Sequence, residues 1–296
     1  MGSLSFEEAL LFHTLNNSLS AYLLGLDLSV LSKKQILQLF NFIDFFPMAF
    51  KDKLIKKFEQ DFYSYLNSLK SNSLGHRELQ KILNFKNNQL TVFALMNPDR
   101  KQAGKLLIRM KDGSFFRDKK NNIWSIRTLG LSSRGLNFCH TNGSTPTGIY
   151  QINSVMPECN HQYEFGKNRR LKIHFIDDSQ LLEYLPKDPQ KSFKEHRWWQ
   201  QASIANTLGR SLFRIHGSGR VNKNPLSSFF PLVPSSGCLT TTERNFLGIW
   251  KIDDQRQLLD ALMEASHLGK SFTNELKIHG LLYVINFDGT YQALEF

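Results

Sequence analysis

The spacing of apolar residues changes near residue 84, and that change constrains the fold more than any other feature of the chain. Before it, leucines and phenylalanines recur every three or four residues, as on one face of a helix. After it, they fall in runs of five to seven residues with turn signals between them, as strands do. A chain patterned in this way is expected to be α+β: a helical part followed by a mostly antiparallel β domain.

The helical part shows its own punctuation. Ser5-Phe6-Glu7-Glu8 and Ser32-Lys33-Lys34-Gln35 are capping boxes, in which the serine oxygen meets an orphan amide and the Glu or Gln reaches back. Leu11, Leu15, Leu19 and Leu23 lay one stripe, and Ile36, Leu37, Phe40 and Ile43 a second. Beyond Pro47 a third helix carries Phe50, Leu54, Phe58, Phe62, Leu66 and Leu69, and a shorter fourth spans 77–85. These stripes predict a small bundle over residues 1–86 with no chemistry of its own.

Residues 87–296 read as the second domain. Runs at 90–95, 106–110, 123–129, 148–152, 171–176 and 212–216 are rich in Val, Ile, Leu and aromatics. A run at 281–287, Asp288-Gly289 and a run at 290–296 give a closing hairpin. One helix, about 254–268, interrupts. A sandwich-like or partly open barrel arrangement is expected.

Composition excludes several classes. At 296 residues, with 41% apolar and 21% charged side chains, the chain is too apolar for wholesale disorder. No stretch approaches 18 uninterrupted apolar residues, so no membrane span is expected. Three cysteines, Cys139, Cys159 and Cys238, cannot build a disulfide scaffold. The net charge of +11 is uneven: +2 over residues 1–88 and +9 over 89–296, so the second part favours a polyanion. Eight basic residues in 100–120 read as a solvated hairpin edge. No basic segment leads into an apolar one at the start, so no signal peptide is legible. Phe6 stands where a myristoylation signal needs Ser or Thr, and Met1-Gly2-Ser3 reads as an appended remnant.

Motif searches narrow the chemistry. There is no phosphate-binding glycine loop and no His-Glu-x-x-His, and the nine histidines do not pair with cysteines at zinc spacing. No metal and no cofactor are expected. Trp198-Trp199 is an isolated aromatic pair, better read as hydrophobic contact than as a stacking platform, so no nucleic-acid partner is expected.

Three segments carry a specific signal. Gly143-Ser144-Thr145-Pro146-Thr147-Gly148 is a turn-rich entry into a strand; Leu212-Phe213-Arg214-Ile215-His216-Gly217 is a strand ending in His-Gly; Pro234-Ser235-Ser236-Gly237-Cys238-Leu239-Thr240 is a small-residue loop holding a cysteine. A thiol becomes a nucleophile when a base takes its proton, and His216 is the candidate base for Cys238. The amides of Gly237 and Cys238 are candidate oxyanion donors.

In this order the three segments resemble the catalytic domain of L,D-transpeptidases, the YkuD-type domain, over about residues 89–296. The resemblance implies a cysteine acyltransferase acting on peptidoglycan stem tetrapeptides. Cys238 attacks the carbonyl between the diamino acid and the terminal D-Ala, His216 acts as base and then acid, and the Gly217 carbonyl orients the imidazole. The thioester passes to an amine, forming a cross-link, or to water, as in an L,D-carboxypeptidase. The contrasting reading is a non-catalytic wall-binding scaffold. The resemblance also implies a periplasmic or cell-envelope setting, with a cytoplasmic recycling role left open, and carbapenem-type β-lactams as covalent inhibitors.

Two departures stand out. The family commonly places Arg or Asn two residues after the cysteine, where this chain has Thr240, so Arg214, Arg220 or Arg244 is the candidate substitute contact. Ser235, Ser236, Gly237 and Thr240 complete the expected substrate-binding set. The stretch 225–234 lengthens the His216–Cys238 connection and reads as a lid or a packed loop.

Overall fold

The computed structural model describes residues 73–186, 198–246 and 249–287. The helical stripes before residue 73 and the closing hairpin from Asp288 lie outside the described residues. The chain divides between Ser68 and Leu69, and all described residues belong to the second unit.

In chain order the elements are α1 (His76–Asn84), β1 (Thr91–Met96), β2 (Gly104–Arg109), β3 (Ser125–Thr128), β4 (Gly148–Val155), α2 (Gln162–Phe165), β5 (Leu171–Phe175), α3 (Asp178–Leu181), α4 (Gln200–Thr207), β6 (Phe213–His216), β7 (Leu239–Thr240), β8 (Glu243–Phe246), β9 (Ile249–Asp253), α5 (Asp254–Ala265) and β10 (His279–Asn286). Eight strands form one sheet in the order β3-β2-β1-β10-β4-β5-β6-β7, and β8 pairs with β9 alone. Within the large sheet, β1–β10 and β6–β7 are parallel and the other pairs antiparallel. Leu129, just past β3, exchanges two backbone hydrogen bonds with Thr240 of β7, at 3.0 and 2.8 Å, and this bridge nearly closes the sheet.

The mixture of helices and mostly antiparallel strands agrees with the α+β expectation, but the layers facing the large sheet are helices rather than a second large sheet. The strand residues explain this. Val92, Ala94 and Met96 of β1, with Leu282 and Val284 of β10, pack with Leu258, Leu259, Leu262 and Met263 of α5. Their alternates Phe93, Leu95, Leu281, Tyr283 and Ile285 pack on the opposite face with Leu79, Ile82 and Leu83 of α1. β1 is buried at all six positions, as a strand covered on both faces must be. The helix read as the last of the bundle, α1, thus packs into the core of the sheet domain.

Candidate active site

Strands β6 and β7 place the site. Their parallel register sets Ile215 opposite Leu239 and His216 opposite Thr240. Ile215 and Leu239 both sink into the α5-side core. Side chains alternate along a strand, so Arg214 and His216 fall on the other face, and Cys238, one residue ahead of β7, lies beside Arg214. The half-buried Cys238 Sγ is 4.0 Å from the Leu212 carbonyl oxygen. Burial pushes its thiol pKa up; the Arg214 amide and the charges of Arg214, Arg210 and Arg170 act against that rise.

A frame of hydrogen bonds holds the cysteine loop. Gly237 has φ +109°, and a Cβ there would run into the Arg210 guanidinium and come within 2.8 Å of the Gly143 carbonyl, so only glycine fits. Thr145 Oγ1 donates to the Gly237 carbonyl at 2.9 Å, and Ser235 Oγ to the Cys238 carbonyl at 2.7 Å. Arg210 in turn donates to the carbonyls of Phe138, Ser144 and Gly143, at 2.5, 3.0 and 2.8 Å. Thr147 Oγ1 donates to the Trp198 carbonyl at 2.6 Å, and Tyr150 Oη to the Pro146 carbonyl at 2.8 Å. The Thr-Pro-Thr-Gly segment is therefore the scaffold of the thiol loop. Among the described residues the amides of Gly237 and Cys238 donate no hydrogen bond, which leaves both for an incoming oxygen.

His216 is 2% exposed at the end of β6. Its Nδ1 bonds to the Gly217 carbonyl oxygen. A carbonyl only accepts, so Nδ1 carries the proton and Nε2 holds the basic lone pair. Nε2 is buried with no hydrogen-bond partner. The Phe165 ring meets the imidazole edge-on, with centroids 5.0 Å apart. Burial lowers the His216 pKa to about 4, against the Gly217 bond and assisted by the charges of Arg170, Arg214 and Arg220. Gln255, at the start of α5, donates to the Ile215 and Arg169 carbonyls at 3.2 and 2.9 Å and accepts from Thr241 Oγ1 at 2.9 Å, tying the histidine strand to its neighbours.

Other expected site residues occupy different places. Thr240 is 1% exposed, with its hydroxyl donated to the Val233 carbonyl at 2.9 Å, so it closes the sheet and does not face a substrate. Ser235 is buried in the loop frame, while Ser236 is exposed. Arg220 Nη2 donates to the Pro234 carbonyl at 2.9 Å. The stretch 225–234 is pinned, because Ser228 Oγ bonds to the Lys101 carbonyl, Arg127 donates to the Phe230 carbonyl at 2.6 Å, and Leu232 is buried. Phe229 and Phe230 of the same stretch are half-buried and Leu226 is exposed. The basic run 100–120 is not wholly a solvated edge: Arg100 and Arg109 are buried, and Arg109 donates to the Leu83 carbonyl at 2.7 Å. Trp198 is fully buried.

Sequence reasoning missed Arg210, Arg170, Phe165 and Glu243. Each lies outside the three motifs and reaches the site through folding alone. A cleft of about 240 Å³, lined by Arg100, Lys101, Thr145, Gln201 and Asn286 among others, lies beside the Thr145 loop and includes neither Cys238 nor His216. Among the described residues no group of three or more His, Cys, Asp or Glu is placed to hold a metal ion, and no helix is long and apolar enough to cross a membrane.

Compared with known proteins, the chain matches no family model, no curated protein and no solved structure.

Proposed function

We propose that the protein is a cysteine acyltransferase of the L,D-transpeptidase type, with Cys238 as nucleophile and His216 as base. The observation that carries this reading is the pairing of β6 with β7. It sets Cys238, one residue ahead of β7, beside the end of β6, where the buried His216 imidazole has an unpartnered Nε2. The raised thiol pKa and lowered imidazole pKa make the resting pair neutral, so the base works by taking the proton as attack begins.

In the proposed reaction Nε2 removes the thiol proton and Sγ bonds to the carbonyl carbon. The oxyanion is held by the Gly237 and Cys238 amides. Loss of one such donor in other acyl-transfer enzymes costs about 2.7–4 kcal/mol. The C–N bond then breaks, Nε2–H protonates the departing amine, and a thioester remains on Cys238. His216 next deprotonates the acceptor, and the thiol is released. Arg214, for which no hydrogen bond or ion pair of the guanidinium is found among the described residues, is the cation best placed to meet a carboxylate of the donor peptide. Peptidoglycan stem tetrapeptides ending in D-Ala supply such a carboxylate beside the scissile bond.

The acceptor is the open term. An amine of a second stem gives a cross-link. Water gives an L,D-carboxypeptidase, a reading favoured by Thr240 standing where the family commonly has Arg or Asn. Incubating the protein with purified tetrapeptide muropeptides and resolving the products by mass tests the reading: cross-linked dimers or tripeptide monomers support acyl transfer, and unchanged substrate supports the scaffold.

A further inference from the structure

Glu243 opens β8 and is 3% exposed, yet the acyl-transfer chemistry gives it no task. Its carboxylate accepts from the Lys167 amide at 2.6 Å, from Asn168 Nδ2 at 2.9 Å and, at the limit, from the Asn168 amide at 3.4 Å. Two glycines press against it. A Cβ on Gly217 or on Gly166 would overlap the carboxylate, so both residues are in direct contact with it. Gly217 supplies the carbonyl that holds His216 Nδ1. Gly166 caps the C-terminus of α2, whose Phe165 packs edge-on against the His216 ring.

We propose that Glu243 is the positioning residue of His216: it joins the turn after the histidine to the end of α2 and so fixes both the carbonyl and the aromatic ring that orient the imidazole. This inference rests on His216 being the base of the proposed reaction. Burying a carboxylate costs several kcal/mol unless hydrogen bonds recover it, and a purely space-filling role is met more cheaply by an apolar side chain. Three donors from one short loop offset part of that cost and hold the carboxylate in place, while burial keeps its pKa above the ordinary value. The charged groups around Glu243 are Asp253 and Lys167, which pair with each other at 2.8 Å, while Arg170, Arg214 and Arg220 surround His216. Glu243 touches no substrate; its effect passes through Gly217 and Phe165.

The test is a comparison of the full chain with its Glu243→Gln variant. Gln keeps the shape but turns an amide donor toward one of the two backbone N–H groups, so the loop loosens. In the parent protein, ring ¹⁵N spectra of His216 are expected to show the single Nδ1–H tautomer. In Glu243→Gln the tautomers mix and the imidazole titrates lower still, because the Gly217 bond that raises its pKa weakens. Turnover falls by on the order of tenfold to a hundredfold with KM nearly unchanged, as misplacement of a catalytic group does. Asn168→Ala removes the side-chain bonds to Glu243 and to Asp253, at 2.9 and 2.6 Å, and leaves Glu243 in place; it gives the same changes in smaller measure, and decides the matter if Glu243→Gln does not fold. Unchanged His216 spectra in both folded variants overturn the proposal. Shifted His216 spectra in a protein that acylates no donor peptide support the positioning role and overturn the acyl-transfer reading alone.

Discussion

The hydroxyl of Thr145 donates to the carbonyl of Gly237 across 2.9 Å, joining two segments that lie far apart in the chain. That bond ties the strand-entry loop to the residue before the candidate nucleophile. Thr145 is 4% exposed, so replacing its hydroxyl by a methyl strands a buried carbonyl. Thr145→Val is expected to cost about 1–3 kcal/mol, read by urea unfolding, and to slow alkylation of Cys238 by iodoacetamide. An unchanged alkylation rate would mean the loop holds its shape without this bond.

Thr240 gives the contrasting case. Its side chain is spent on the Val233 carbonyl, so Thr240→Val is expected to lower stability by about 1–3 kcal/mol and leave KM for the donor peptide within twofold. Calorimetry and steady-state kinetics separate the two effects. A large rise in KM would return Thr240 to the substrate contacts.

The titration of His216 sets a pH dependence. Its pKa falls from 6.5 to about 4 on folding, so below pH 6.5 the unfolded chain holds a proton that the folded protein gives up. The stability from burying a neutral imidazole is complete above pH 6.5 and is lost as the pH falls toward 4, by about 3 kcal/mol. Denaturant unfolding at pH 7.5 and 4.0 is expected to show this loss in the parent protein and to lack that share of it in His216→Gln. The acid limb of the rate profile should likewise lie near pH 4, because His216 stays an unprotonated base down to that range.

Arg214 is the expected anchor of the donor carboxylate. Arg214→Ala should raise KM by about tenfold or more for peptides with a free C-terminus, the size of a charge-assisted hydrogen bond. Peptides with an amidated C-terminus should show little difference between the two proteins. Equal loss for both would mean that Arg214 acts on the thiol instead.

How much of this was legible in the sequence depends on the kind of signal. Cys238, His216 and Gly217 announce themselves because a glycine-flanked cysteine and a His-Gly strand end are local patterns. The runs at 90–95 and 281–287 announce strands, but their continuous apolar character means burial on both faces, so helices α1 and α5 stand where the sandwich-like alternative would place a second sheet, around one nearly closed sheet. Arg109 was illegible as a core residue because its charge sits in a basic run; only the fold lays it over the Phe93 ring, 5.1 Å from the centroid. Arg210 and Glu243 carry no local mark at all. Their roles come from carbonyls, amides and glycines that lie outside their own local segments, most of them more than 60 residues away and Gly217 closer.

Cys238 is expected to form an acyl bond with a peptidoglycan stem peptide. Intact-protein mass spectrometry after brief incubation with tetrapeptide muropeptides, quenched in acid, tests it most directly. The expected result is an adduct of the mass of the donor minus D-Ala on the peptide containing Cys238, present in Cys139→Ala and Cys159→Ala and absent in Cys238→Ala. No adduct on the parent protein and no product in solution, or an adduct that persists in Cys238→Ala, would contradict it.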